Sequence, residues 1–325
     1  LVSTSATAVI ITAKDAAATA AEAVRSALAQ RLAAEVIFVD DGSRDDTAEV
    51  ARACDDGTGR LKVLRLEENH GPSYGRNFAI AHSTAPYFCV LDADDFFGED
   101  RLERMFDEGG DGWDLLADDI VFCREMNAAS AFDRLFPENF TVPASIDMAR
   151  FVHGNLPYVS RRRRELGFLK PIVRRATAER IGAHYDERLR LGEDVIYYVQ
   201  FLLAGAEFRL VGPCGYYAVQ RPDSLSARHS THDIAALYQA LCEAHESGPA
   251  GAPLMAYIRT TRHNLAIREA LDEKRAHGWG GFLASLGKRP DCAPHVLTRI
   301  ASDKMGVLTN LARNRIGVGR AQAPA

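Results

Sequence analysis

Tyr87-Phe88-Cys89-Val90-Leu91-Asp92-Ala93-Asp94-Asp95 carries the decision about the fold. The apolar and β-favouring run from Tyr87 to Leu91 reads as a strand buried on both faces, as in a parallel sheet, and it ends on three carboxylates. No basic residue lies between Arg76 and Arg101, so mutual repulsion should hinder ionisation of these acids unless a cation sits among them. Hard oxygen ligands suit Mg2+ or Mn2+, which bind few protein oxygens and complete their shells with substrate phosphates. The plainer reading is a strand-to-helix turn in which Asp94 or Asp95 caps a helix starting near Glu99.

Upstream of this stretch, short apolar runs alternate with helical patterns. Strands are expected at Ala8 to Thr12, Glu35 to Val39 and Leu61 to Leu66, with helices at Ala17 to Arg31, Asp46 to Ala53 and Tyr74 to His82. Such alternation predicts an α/β fold with helices on both faces of a sheet, and ligands collect at the carboxyl ends of its strands. Polar residues stand at each of those ends: Lys14-Asp15, Asp40-Asp41-Gly42-Ser43, Glu67-Glu68-Asn69 and the Asp92 cluster. Gly42 and Ser43 are explained by a turn, and Ser43, Asp45 or Asp46 by a helix cap, but two adjacent acids at the strand end are not. A carboxylate there is suited to accept from nucleotide N–H and hydroxyl groups. No Gly-x-Gly-x-x-Gly or Gly-Lys-Ser/Thr loop is present, so neither a dinucleotide site nor a P-loop is supported. Arg76 falls one turn inside the third helix, within reach of the sheet's mouth, to meet a phosphate or pair with Asp92.

Downstream, Asp114 to Phe122 reads as a further strand, Ala129 to Leu135 and Ile146 to His153 as short helices or loops, and Phe168 to Arg174 as a strand before a helix at Ala176 to Gly182. Val195, Val199, Leu202 and Leu203 mark a largely buried helix with Glu193 and Asp194 at its amino end. Capping and dipole complementarity account for acids there, and so does a cleft-side general base whose basicity is raised by partial desolvation. Strands at Glu207 to Val211 and Gly215 to Val219 follow, and the chain from about Thr231 is helical: Asp233 to Glu246, Pro253 to Arg275 and Val296 to Arg315.

The 325 residues, 47% of them hydrophobic, suffice for a sizeable core in two closely packed lobes, and no apolar run approaches membrane-span length. Ala8 to Ile11 reads as a first strand and not as a signal peptide. Six scattered cysteines without a Cys-x-x-Cys pair fit a reducing, cytoplasmic setting without zinc. The net charge of −5 hides an asymmetry: residues 1–120 hold 24 Asp and Glu against 11 Lys and Arg, which leaves the remainder positive. Arg161 to Arg164 and the basic last helix are compatible with contact to an acceptor's phosphates or with a peripheral position at the inner face of the plasma membrane. A solvated loop and packing against the body are the plainer readings of the two.

Taken together, Ala27 to Gln30, Val39-Asp40-Asp41-Gly42-Ser43 with Asp46-Thr47, Asn69-His70-Gly71 with Arg76-Asn77, Leu91 to Asp95, Gly192-Glu193-Asp194 and Arg221 to Ser226 resemble the family 2 glycosyltransferases. The resemblance covers about residues 8–226 in the family's order. It implies a GT-A fold: a Rossmann-like nucleotide-binding half at 1–120, an acceptor-binding half with the catalytic base at 121–230, a mixed central sheet, and a C-terminal helical region at 231–325. It implies a UDP-sugar donor, Mn2+ or Mg2+, and inverting transfer of one sugar, glucose for choice, to a saccharide acceptor carried on a lipid diphosphate in bacterial exopolysaccharide assembly of the succinoglycan kind. Nucleic acid has no place in it. By the same resemblance Asp194 is the base, Asp41 contacts the nucleotide base with Asn69 and Arg76 beside it, and Asp92, Ala93 and Asp94 form the Asp-x-Asp segment. Asp92 and Asp94 then meet ribose and metal, Thr12 lines the donor site, and Arg221 and Ser226 belong to a loop over the diphosphate. The family's Pro-x-Tyr-Asn is replaced by Thr12-Ala13-Lys14-Asp15, which removes an aromatic platform for the base. The Gln-x-x-Arg-Trp motif and membrane spans of processive synthases are absent, which favours single addition. Two rivals share some of these signals: a non-catalytic nucleotide-sugar or glycan-binding module, and a haloacid-dehalogenase-like phosphatase. The phosphatase signature follows the first strand, whereas this Asp-x-Asp follows the fourth.

Overall fold

A computed structural model describes residues 5–136, 141–156, 165–220, 229–248 and 251–301. The chain divides into two compact units, Leu1–Tyr257 and Ile258–Ala325.

In the first unit β1 (Thr7–Ala13), β2 (Ala33–Asp40), β3 (Leu61–Arg65) and β4 (Tyr87–Asp92) alternate with α1 (Ala20–Leu28), α2 (Thr47–Arg52) and α3 (Pro72–Ala81). All four strands are parallel, in the order β3-β2-β1-β4. Val9, Ile10, Ile11, Val36, Ile37, Phe38 and Leu91 have no exposed surface, which is why these strands read as unbroken apolar runs. Register places Thr12 beside Asp92 and Ala13 beside Asp40, so the polar strand ends form one rim.

The next elements are β5 (Phe96–Phe97), α4 (Arg101–Gly109), β6 (Leu115–Ala117), β7 (Ile120–Cys123), β8 (Ala131–Arg134), β9 (Ala144–Ser145), α5 (Met148–Asn155), β10 (Ile172–Arg174), α6 (Arg175–Ile181), α7 (Glu193–Leu203), β11 (Phe208–Leu210), β12 (Tyr216–Val219) and α8 (Thr231–Glu246). β10 inserts antiparallel between β4 and β6, and β11 and β9 complete an eight-stranded mixed sheet. A second sheet runs β5-β12-β7-β8.

The single strand expected over Asp114 to Phe122 is two strands in two sheets, β6 and β7. Asp118, between them, accepts from the Arg101 guanidinium at 2.6 Å and from the Cys214 and Tyr216 amides at 3.2 and 3.1 Å. A buried carboxylate that gathers three donors turns the chain out of one ladder and into the other. The helix after β4 begins at Arg101 with Asp100 as its N-cap residue, so neither Asp94 nor Asp95 caps it. Asp95 turns inward, accepting from the Tyr216 hydroxyl and the Val219 amide, both at 2.9 Å.

α9 (Leu254–Lys288) begins in the first unit and lies mostly in the second, where it changes direction at Gly278, whose φ is +65°, and helix resumes over 293–301. Ala266, Ala270, Phe282, Cys292 and Val296 form the small core of the second unit. The Arg161 to Arg164 run, Arg221, Ser226 and most of the basic last helix lie outside the described residues.

Candidate active site

Asp92 ends β4, Arg76 faces it from α3, and Asp194 sits in the first turn of α7. The α7 turn depends on Gly192, whose φ is +72° and where a Cβ would stand 2.8 Å from the Leu237 side chain. Side chains of α3 grip the segment that leads into it: Asn77 bonds the Tyr185 backbone at 2.8 and 2.9 Å, and the Ser73 hydroxyl donates to the Leu189 carbonyl at 3.2 Å.

The Arg76 guanidinium donates to Asp92 Oδ1 at 3.1 Å, Glu193 Oε1 at 3.0 Å and Asp194 Oδ1 at 3.1 Å. The Lys170 ammonium, carried just ahead of β10, lies 2.7 Å from Asp194 Oδ2 and 3.0 Å from Asp92 Oδ2. Asp92, Lys170, Asp194 and Arg76 therefore close a ring of alternating charge. Burial pushes the Asp92 carboxyl up, but Lys170 and then Arg76 overrule it and hold it at about 2. Burial works against the charged forms of Lys170 and Arg76 too, and their carboxylate partners raise both pKa values. Two side-chain cations from distant segments, Arg76 and Lys170, thus balance the charge of Asp92. Asp95 goes the other way: burial, then the charges of Asp92 and Asp94, push it well above the usual carboxylate range.

At the end of β2 the Asp41 carboxylate accepts from Asn69 Nδ2 at 2.6 Å and from the His70 and Gly71 amides at 2.7 and 2.8 Å. It latches the turn into α3. Gly42 beside it has φ +68°, and a Cβ there would lie 2.7 Å from the Glu68 carbonyl carbon. In place of an aromatic platform, Lys14 donates to the Gly42 carbonyl at 3.0 Å, and the Asp15 amide donates to Ser43 Oγ at 2.8 Å. Thr12 is half-buried on the rim, Ala93 is buried and Asp94 is half-buried. Thr12, Ala93, Asp92, Asp194 and Arg76 thus belong to one rim, and Asp41 with Asn69 occupies the next strand end along it.

Among the described residues no group of three or more His, Cys, Asp and Glu side chains is arranged to hold a metal ion. Both Asp92 oxygens already face cations. An all-oxygen donor set that offers so little protein coordination fits only an ion that shares its shell with substrate phosphates, as Mg2+ and Mn2+ do.

Lys170 escaped the sequence reading. A lysine inside Phe168-Leu169-Lys170-Pro171-Ile172-Val173 is a charge in an apolar run, and a buried charge needs partners, which was the available signal.

The family model "Glycosyl transferase family 2" matches residues 8–163. The succinoglycan biosynthesis protein ExoU of Rhizobium meliloti (strain 1021) is 45% identical over 301 residues, 91% of this chain and 87% of its own. Among solved structures, S. aureus TarS 1–349 in complex with UDP-GlcNAc aligns with a TM-score of 0.57 at 17% identity, over 89% of this chain and 81% of that one. The mannosyltransferase PcManGT from Pyrobaculum calidifontis, in complex with GDP-Man and Mn2+, aligns with a TM-score of 0.52 at 15% identity, over 92% and 80%. These two likenesses show the GT-A fold. With its strand-end acids, its mixed sheet and a relative matched over nearly its whole length, the chain belongs to glycosyl transferase family 2.

Proposed function

We propose that this protein is an inverting glycosyltransferase that moves one hexose, glucose for choice, from a UDP-sugar to a saccharide acceptor on a lipid diphosphate, in exopolysaccharide assembly. The observation that carries the reading is the ring in which Arg76 and Lys170 hold Asp92 and Asp194 together at the carboxyl end of the sheet. The succinoglycan role of the 45% identical relative supports the pathway class, and the UDP-GlcNAc complex of the TarS structure supports the donor class.

In this reading residues 1–120 receive the nucleotide sugar and 121–230 the acceptor. Asp41 and Asn69 border the nucleotide base, Thr12 and the Asp92-Ala93-Asp94 segment border ribose and diphosphate, and Arg221 and Ser226 are taken as further donor-binding residues. A carboxylate offers about four acceptor positions. Arg76 and Lys170 occupy two on Asp194, leaving others for an acceptor hydroxyl. That hydroxyl oxygen forms the new bond to the sugar's anomeric carbon, its proton passes to Asp194, and the anomeric C–O bond to the diphosphate breaks with its electron pair leaving on UDP. Attack on the face opposite the leaving group inverts the centre, so an α-linked donor gives a β-linkage. Asp94 and Asp92 would hold a Mn2+ or Mg2+, which would supply charge neutralisation for the departing UDP.

The test is UDP release from UDP-glucose, UDP-galactose and UDP-N-acetylglucosamine, with Mn2+, Mg2+ or chelator and with or without lipid-linked saccharides. Metal-dependent release that rises with one acceptor class is expected. UDP binding with no release under any combination would make the protein a non-catalytic binding module.

A further inference from the structure

Lys170 helps to hold Asp92 and Asp194 together, and its surroundings argue for a more specific role in the reaction. Its side chain is 6% exposed, and its backbone is fixed from behind: the Lys170 carbonyl accepts from Arg101 Nη2 at 2.9 Å, and Arg101, fully buried, is itself paired with Asp118 at 2.6 Å. The ammonium thus extends from an anchored point toward one carboxylate on β4 and one on α7. Asp92 and Asp194 belong to elements far apart in the chain, and the Lys170 ammonium and the Arg76 guanidinium stand between their carboxylates. Arg76 also bridges them, but it is shared with Glu193. Lys170 bridges these two alone among the ion pairs of the described residues.

We infer that Lys170 is a positioning residue that sets the distance from the proton-accepting carboxylate, Asp194, to the donor-binding carboxylate, Asp92. The inference rests on the proposed roles of those two acids. A single ammonium at 2.7 and 3.0 Å keeps one oxygen of each carboxylate within the span of one hydrogen-bonding group. Without it, Asp92, Glu193 and Asp194 all fall to one guanidinium, and Asp194 is drawn toward Arg76. Displacement of a reacting group by about 1 Å can cost about 100-fold in rate. A group that only braces the fold would instead lower stability and donor binding together.

The experiment measures UDP release, with water as acceptor, from whichever of UDP-glucose, UDP-galactose and UDP-N-acetylglucosamine the native protein turns over fastest. Lys170→Gln, Lys170→Met and Lys170→Ala are compared with Asp194→Asn, with UDP binding by calorimetry for each. Lys170→Gln and Lys170→Met are expected to bind UDP within about threefold of native and change donor KM less than about fivefold, while kcat falls about 100-fold. In Lys170→Ala, propylammonium chloride should restore kcat at least about tenfold over tetramethylammonium chloride at equal ionic strength, because only the primary ammonium donates hydrogen bonds. The inference is overturned by Lys170→Gln with kcat within about threefold of native, by a loss of UDP binding that equals the loss of kcat/KM in both Gln and Met variants, or by equal rescue from the two salts. Full activity in Asp194→Asn would remove the base assignment itself, whereas an inactive Asp194→Asn beside an active Lys170→Gln removes only the role of Lys170.

Discussion

The carboxylates at the ends of β2 and β4 stand at the same edge of the parallel strands of one mixed sheet, and their charges are balanced in different ways. Asp41 is met by two backbone amides and the Asn69 side chain, all from the segment that leads into α3. Asp92 is met by Arg76 and Lys170, which bring Asp194 with them. Backbone donors fix a carboxylate in a turn and stabilise local structure. Side-chain cations can be shared, so the same residue type at the second place becomes part of a network that joins four separate segments. A third strand-end acid, Asp119 beyond β6, accepts from the Phe136 amide at 3.1 Å, but there burial outweighs the backbone donors and pushes the carboxyl up to about 6.

Substitutions at these places test that contrast. The largest effect is expected at Asp194, where Asp194→Asn should lower kcat for UDP release about 1,000-fold with UDP binding retained, as loss of a general base does. A variant with native turnover would detach the charged ring from the chemistry. Asp92→Asn should come next, with kcat/KM for the donor down about 100-fold and most of the loss in binding, measured by steady-state kinetics beside UDP calorimetry.

Asp41→Asn should act mainly on stability. An amide in place of the carboxylate points N–H groups at a site already filled with donors, leaving at least one unmatched at a cost of about 1–3 kcal/mol. Denaturant unfolding should report that loss while kcat stays within a few-fold of native; a large fall in kcat at unchanged stability would erase the distinction between the two strand ends.

The smallest effect is at Asp119. A carboxyl whose pKa is raised on folding favours the folded state below its unfolded value, and that advantage is lost as pH rises through about 6. Asp119→Asn keeps an acceptor for the Phe136 amide and removes the charge, so it should raise Tm by about 2 °C at pH 8 and leave it unchanged at pH 4. A gain of equal size at both pH values would show that the buried charge is not its source.

Much of the fold was legible because its signals are local. Apolar runs bounded by turns located β1 to β4, and the 3.6-residue period located α7 and α8, each within a few residues. Asp114 to Phe122 misled because an apolar run does not reveal a change of sheet; Asp118, which makes the break, draws its donors from Arg101, Cys214 and Tyr216. The capping role offered for Asp94 or Asp95 failed for a similar reason, since the partners of Asp95 lie on and beside β12.

What the sequence determined by itself is the α/β rim of acids and the family, because hydrophobic period and motif order are properties of neighbouring residues. What only the tertiary structure decided is how the acids are neutralised. Coulomb energy depends on separation in space, and Arg76 and Lys170 reach Asp92 and Asp194 only after α3, β4, β10 and α7 have packed together.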